Sequence, residues 1–163
     1  MNDPLTDEEL LIPLEEQLCF AVYSAGIAFT RMYQPLLSKL GLTYPQYLVM
    51  LALWSEPESA APPTVNALGR RLRLKSNTLT PLLKRLESRG WLRRQRDVDD
   101  ERVVRITLTA SGQELRAQAA HLPGCVLGAL GMDSDEAHAL QLRILELRDR
   151  LEGADEENLE TTR

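Results

Sequence analysis

The sequence predicts a mainly α fold carrying one small β-hairpin, and three observations predict it. Two short helices follow each other closely, Thr64 to about Leu72 and Ser76 to Arg89, joined only by Arg73, Leu74 and Lys75, which is the tight joint of a helix-turn-helix. Directly after Gly90, the stretches Trp91 to Arg96 and Val103 to Leu108 alternate and are rich in β-branched or aromatic residues, and the charged turn Asp97, Val98, Asp99, Asp100, Glu101, Arg102 separates them as in a hairpin, or wing. Longer helical runs flank this centre on both sides. The predicted architecture is a winged helix-turn-helix between terminal helices.

Each element has a local reason. The first helix runs from about Leu14 to Leu40, with Pro13 near its start and Gly41 as its stop. Pro35 is expected to kink it or divide it in two. Thr43 reads as the N-cap of a second helix ending near Trp54, and Glu56 to Pro63 (EPESAAPP) is a Pro-rich loop. In the helix that follows Lys75, Leu79, Leu82, Leu83 and Leu86 form an apolar stripe expected in the core, and Gly90 closes it. Thr109 caps a further helix through about Ala120, broken near Pro123 and Gly124, and Ser134 caps a last one to about Leu151. The polar tail from Gly153 to Arg163 is expected to fray.

At 163 residues with 44% apolar side chains, the chain suits one domain with a real core. No stretch approaches the ~18 uninterrupted apolar residues of a membrane span, and Met1 to Glu9 is acidic, unlike a secretory signal, so a cytoplasmic protein is expected. Cys19 and Cys125 lack C-x-x-C spacing and are too few for a disulfide scaffold, so both are expected as thiols unless a regulated bond forms. His121 and His138 form no ligand spacing with either cysteine, and no phosphate loop or hydrolase motif is present; neither metal nor cofactor is expected.

The net charge of −5 conceals an asymmetry. Between Arg70 and Arg105 there are 12 Lys and Arg against 5 acids, a net of +7, so the remainder carries −12. A basic middle within acidic arms fits a chain that docks one face on phosphates. In the helix from Ser76, the short polar residues Ser76, Asn77, Thr78 and Thr80 suit base edges and the presentation of backbone N–H groups, while Lys84 and Arg85 suit phosphates. Arg102 at the wing tip, held by Asp100, is the candidate for the minor groove, with Arg93, Arg94 and Arg96 along the hairpin.

The chemistry points to Cys19. A free thiol with a pKa of ~8.5 is only about 3% thiolate at pH 7, and the thiolate is the nucleophilic form. Hydrogen bonds donated by tyrosine hydroxyls favour the charged sulfur. Tyr23 stands at i+4 and can share the face of Cys19, whereas Tyr33 is fourteen residues on, roughly 21 Å along a straight helix. It could reach only the cysteine of a second chain whose first helix packs with opposite polarity. The helix dipole is expected to contribute little, because Cys19 reads as two turns inside the helix. An inert buried cysteine with packing tyrosines remains the alternative at this point.

Four strings decide the comparison with known families. "LCFAVYSAGIAFTRMYQPLL" from Leu18, "LTYPQYLVMLALW" from Leu42, "TLTPLLKRLE" from Thr78, and "DER" from Asp100 followed by Leu108 and Thr109 resemble the organic hydroperoxide sensors of the OhrR group within the MarR family. The resemblance spans about Glu15 to Leu130. The wing motif is general to the MarR family, whereas Cys19 with Tyr23, Tyr33 and Tyr44 is specific to the peroxide-sensing branch.

The resemblance implies a homodimeric repressor on double-stranded, pseudo-palindromic operator DNA. It implies residues 10–42 and 110–152 as dimerisation helices forming a two-fold interface, 43–109 as the DNA-binding lobe and 153–163 as a frayed tail. It also implies Cys19 as the sensor of an organic hydroperoxide, Tyr23, Tyr33 and Tyr44 as donors to its thiolate, and Cys125, in "LPGCVL", as a resolving cysteine that bonds Cys19 of the other subunit. Leu18, Phe20 and Val22 would favour a substrate with a hydrocarbon tail. The chain departs from its close relatives at Lys75 and Asn77, where they usually carry Asp and Gly, which leaves the operator sequence open. Two rivals remain. One is a regulator of the same family answering a small phenolic ligand, which needs no reactive thiol. The other is a thiol peroxidase, disfavoured because Glu16 stands where peroxiredoxin-type sites place Thr.

Overall fold

A computed structural model describes residues 12–57 and 61–154; the acidic start and most of the tail lie outside the described residues. The chain divides into two compact units, one ending at Ala120 and one beginning at His121.

In the first unit, a short 3-10 turn, Leu14–Glu16, precedes α1, Leu18–Ser38. The turn shifts the start of α1 four residues beyond the expected point. Pro35 neither ends nor divides the helix, which continues through it to Ser38. The proline forgoes one backbone bond near the end of a long helix, and its neighbours hold the segment. Gly41, at φ 69, closes α1, with its N–H on Ser38 O at 3.1 Å and the Leu42 N–H on Leu37 O at 3.0 Å.

Helix α2, Tyr44–Trp54, starts in a capping box in which Thr43 accepts from the Gln46 N–H and the Gln46 side chain accepts from the Thr43 N–H. It is apolar nearly all round, with Tyr47, Val49, Met50, Ala52, Leu53 and Trp54 buried. Helix α3, Val65–Leu72, is capped by Thr64, and α4, Ser76–Ser88, follows a turn in which Arg73 takes a left-handed φ of 55. The Leu74 N–H donates to Gly69 O at 2.9 Å, and a Cβ at Gly69 would stand 3.0 Å from Leu74 O, so the turn has little room. Leu79, Leu83 and Leu86 are wholly buried; Leu82 is only half-buried.

The wing forms as the alternation predicts. Strands β1, Leu92–Arg96, and β2, Val104–Leu108, pair antiparallel with Leu92 opposite Leu108 and Arg94 opposite Ile106. Helix α5, Ala110–Ala119, is capped by Thr109, whose hydroxyl also donates to Gly90 O at 2.5 Å. Its first turn is clamped to the centre: Trp54 Nε1 donates to Gly112 O at 2.9 Å in a buried bond, and a Cβ at Gly112 would lie 2.0 Å from Trp91 O.

The second unit holds two helices. Helix α6, Leu122–Leu130, occupies the segment expected to be broken, because Pro123 falls in the first turn, where its missing N–H has no helical partner to lose. In α7, Ser134–Glu152, the cap is Asp133 rather than Ser134. Asp133 accepts from the N–H groups of Asp135 and Glu136, each at 2.9 Å, and Glu136 returns a bond to the Asp133 N–H at 3.1 Å. No residue of α7 is buried; Leu140, Leu142, Ile144 and Leu151 are exposed.

The Gly112 contact gives a direct stability test. Gly112→Ala should lower the unfolding free energy by about 2–3 kcal/mol, because the methyl meets backbone rather than a movable side chain. Trp54→Phe should cost about 1 kcal/mol for the lost bond. Urea melts of both variants check the order; an Ala variant as stable as the parent would show that the helix start can shift.

Candidate thiol site and nucleic-acid interface

Cys19 is the second residue of α1 and is exposed. Because the 3-10 turn ends one residue before α1, the thiol stands in the first helical turn and not two turns inside it, as the sequence suggested. The backbone N–H groups of a first turn have no helical acceptors, and the helix dipole there favours negative charge. Glu15 and Glu16, in the preceding turn, oppose that effect. Within the single chain neither cysteine is buried: Cys125 is exposed as well.

The phenols are elsewhere. Tyr23 is 65% exposed, and no hydrogen bond joins it to Cys19 among the described residues. Tyr33 packs its ring on Tyr44 at 5.2 Å between centroids and on Tyr47 at 5.6 Å; Phe29 stacks on Tyr33 at 6.3 Å. Burial raises the pKa of Tyr33, with Tyr44 adding to it, and burial raises that of Tyr44. Tyr47 is pushed up to about 12 by burial and by its two tyrosine neighbours. All three therefore stay protonated at neutral pH and can act only as neutral phenols. Tyr47 was missed in the sequence, although its spacing of three from Tyr44 on a helix puts both on one face. Since α1 is continuous, Tyr33 is roughly 21 Å from Cys19 of its own chain.

The basic face is smaller than its charge count. Arg71 donates to Ala52 O at 2.9 Å, Glu56 at 2.5 Å and Ser55 at 2.6 Å, so it closes the end of α2. Arg105 binds Asp97 and donates to Pro62 O at 3.0 Å, fastening the wing to the loop before α3. Arg94 shares the inner face of β1 with Leu92; its N–H donates to Glu87 at 2.8 Å, its guanidinium pairs with Glu87 at 3.9 Å, and its Nε is buried without a partner. Arg94, expected along the hairpin among the DNA-binding residues, is half-buried and paired with Glu87, because strand alternation turns it to the face of Leu92. Arg89 lies over the Trp91 ring at 5.4 Å.

What remains faces outward. Ser76, Asn77, Thr78, Lys84 and Arg85 are exposed, with Thr80 half-buried. The cap residue Lys75 offers no side-chain bond to the start of α4, although its carbonyl accepts from Thr78 and Leu79, each at 3.0 Å. Beside it, Asn66, Gly69, Arg70, Arg73, Lys75 and Ser76 line a surface depression. At the wing, Asp100 grips Arg102 through Nε at 3.0 Å and Nη2 at 3.2 Å while the guanidinium remains 91% exposed. The hydrogen bonds from Arg102 hold the Asp100 carboxyl below the usual carboxylate range. Arg96 donates to Glu101 O at 3.4 Å. No described helix is long and apolar enough to cross a membrane.

This arrangement has relatives. The family described as transcriptional regulator SarA/Rot matches residues 31–118. The HTH-type transcriptional regulator TtmR of Methylorubrum extorquens is 51% identical over 138 residues, which is 85% of this chain and 69% of that one. The organic hydroperoxide resistance transcriptional regulator of Bacillus subtilis is 43% identical over 138 residues, covering 85% and 91%. Among solved structures, AbfR of Staphylococcus epidermidis aligns with a TM-score of 0.70 and 40% identity over 85% of this chain and 92% of that one. AbfR has also been solved reduced and bound to DNA, and with a disulfide formed.

The inward Arg94 is testable by stability. Glu87→Ala removes the acceptor of the Arg94 N–H and the partner of its guanidinium, and should cost about 1–2 kcal/mol. Arg94→Met should leave the melting midpoint within a few degrees. A neutral Glu87→Ala in thermal melts would show that Arg94 swings out to solvent.

Proposed function

Since the chain belongs to the SarA/Rot family of MarR-like winged-helix transcriptional regulators, we propose that it is a homodimeric repressor that holds operator DNA while Cys19 is reduced and releases it once an organic hydroperoxide oxidises that thiol. The observation that carries the reading is the separation along α1. An exposed first-turn thiol and Tyr33, which anchors the cluster of protonated phenols, lie toward opposite ends of one continuous helix. Two such helices packed with opposite polarity bring Tyr33 and Tyr44 of one subunit to the thiol of the other, and the exposed Leu18, Val22 and Phe29, at i, i+4 and i+11, supply an apolar seam for that packing. Tyr23, at i+4, completes the donor set from the same chain.

The chemistry balances in two steps. The Cys19 thiolate attacks the outer peroxide oxygen, the O–O bond breaks, and the alkoxide leaves as an alcohol after taking up a proton, so sulfur becomes a sulfenic acid. The Cys125 thiol of the partner subunit then displaces water from that sulfur to form a disulfide. Closing the bond demands Cα atoms about 4.4–6.8 Å apart, and any greater separation in the reduced dimer is converted into helix movement that spoils the spacing of the two α4 helices. In the reduced state, those helices enter successive major grooves of a pseudo-palindromic duplex. Ser76, Asn77, Thr78 and Thr80 face base edges, Lys84 and Arg85 meet phosphates, and Arg102 and Arg96 follow the wing to the minor groove. A second reading, a repressor answering a small phenolic ligand, has one feature in its favour: a depression lined by Thr30, Gln34, Ser38, Leu42, Thr43 and Tyr44.

A duplex selected from a random-sequence library serves as operator. Wild type should release it after stoichiometric cumene hydroperoxide, Cys19→Ser should not, and the non-reducing gel should show a linked dimer that needs Cys125. Release by both proteins, or by neither, moves the assignment to the ligand-responsive reading. Tyr33→Phe and Tyr44→Phe should each slow thiol loss by roughly tenfold, the rate equivalent of one charge-assisted bond, while binding DNA as wild type does. Unchanged rates in both variants would remove the phenols from the mechanism.

A further inference from the structure

Arg89 is the C-cap of α4, and its side chain leaves that helix for the end of α1. A Cβ built on Gly41 would stand 2.7 Å from Arg89 Nη1 and 3.5 Å from Cζ, so the guanidinium occupies the space that a side chain at Gly41 would need. On its other side, Cζ lies 5.4 Å from the centre of the Trp91 ring, at the junction of α4 with β1. Two forces hold it there: the face of an indole attracts a planar cation, and the C-terminal end of α1 attracts positive charge. Gly41 suits this contact because it adopts a φ of 69 without strain and its lack of a side chain leaves room for the guanidinium.

The place of this contact gives it meaning. Gly41 is in the corner between α1 and α2; two residues later Thr43 caps α2, and Tyr44 then lies against Tyr33. The buried Leu37 and Leu42 brace the corner on either side. At its far end, Arg89 touches the segment through which the recognition helix becomes the wing. We propose that Arg89 is a positioning residue of the switch, a guanidinium strut that passes displacement of the tyrosine-bearing corner to the junction of α4 and β1. The inference rests on the redox-repressor reading above, and names the residue through which that site reaches the DNA-binding elements.

The test compares wild type, Arg89→Ala and Arg89→Lys as full-length dimers, measuring operator affinity before and after cumene hydroperoxide, its salt dependence, and the rate of Cys19 oxidation. Arg89→Ala should oxidise at the wild-type rate and bind with an unchanged salt slope when reduced. Its affinity loss on oxidation should be smaller than that of wild type by at least about fivefold, the lower end of ordinary coupling between sites. Arg89→Lys keeps the charge but not the planar stack, so it should fall between the two and serves if the Ala variant does not fold. Weaker reduced binding with a salt slope lower by about one would identify Arg89 as a phosphate contact and overturn the proposal. Release as complete as that of wild type in both variants would also overturn it, as a structural contact only. A wild type that oxidises and keeps its DNA would instead remove the redox reading and this inference with it.

Discussion

The burial of α2 is the constraint on which the rest of the first unit depends. A helix with Tyr47, Val49, Met50, Leu53 and Trp54 all inside cannot rest on one neighbour; it must be covered from several directions. Helices α1, α3, α4 and α5 each pack on it. The tyrosine cluster and the α4 core leucines are therefore attached to one rigid body. A change at one end of α2 has few ways to be absorbed without moving the other, because a close-packed core does not deform continuously. The buried bond from Trp54 to Gly112 extends the same body into α5.

Continuity of α1 is the second organising fact. Cys19 and Tyr33 both precede Pro35 and lie on one uninterrupted helix, fourteen residues apart. The continuous helix keeps the Cys19 thiol and the Tyr33 phenol roughly 21 Å apart within one chain. Leu18, Val22 and Phe29 leave an exposed apolar face on α1, side chains unfavourable in water but suited to an interface.

Charge is partitioned more finely than composition reveals. Arg71, Arg94 and Arg105 are bound to carboxylates within the chain, and each joins two elements: α3 to α2, the wing to α4, the wing to the loop before α3. These arginines build the scaffold that presents Lys84, Arg85 and Arg102. Asp100 and Arg102 show the same economy at the wing tip, where a fork of two hydrogen bonds aims an exposed guanidinium without burying it.

Local signals in the sequence determined the helix-turn-helix and wing, because capping threonines, a three-residue joint and strict alternation act over a few residues. Thr43 and Thr109 cap as read, and Leu79, Leu83 and Leu86 of the α4 stripe lie in the core. The sequence also singled out Cys19 and the tyrosines, through residue type and spacing. Three things were settled only by tertiary structure. The start of α1, and with it the first-turn position of Cys19, depends on a 3-10 turn that no residue between Pro13 and Gln17 announces. The continuity of α1 through Pro35, and the helix beginning at Leu122, depend on whether a proline's lost bond falls where a partner was available. The roles of Arg71, Arg89, Arg94 and Arg105 depend on acceptors and rings supplied by other elements, and the identity of an arginine does not tell whether it will meet a phosphate or its own chain.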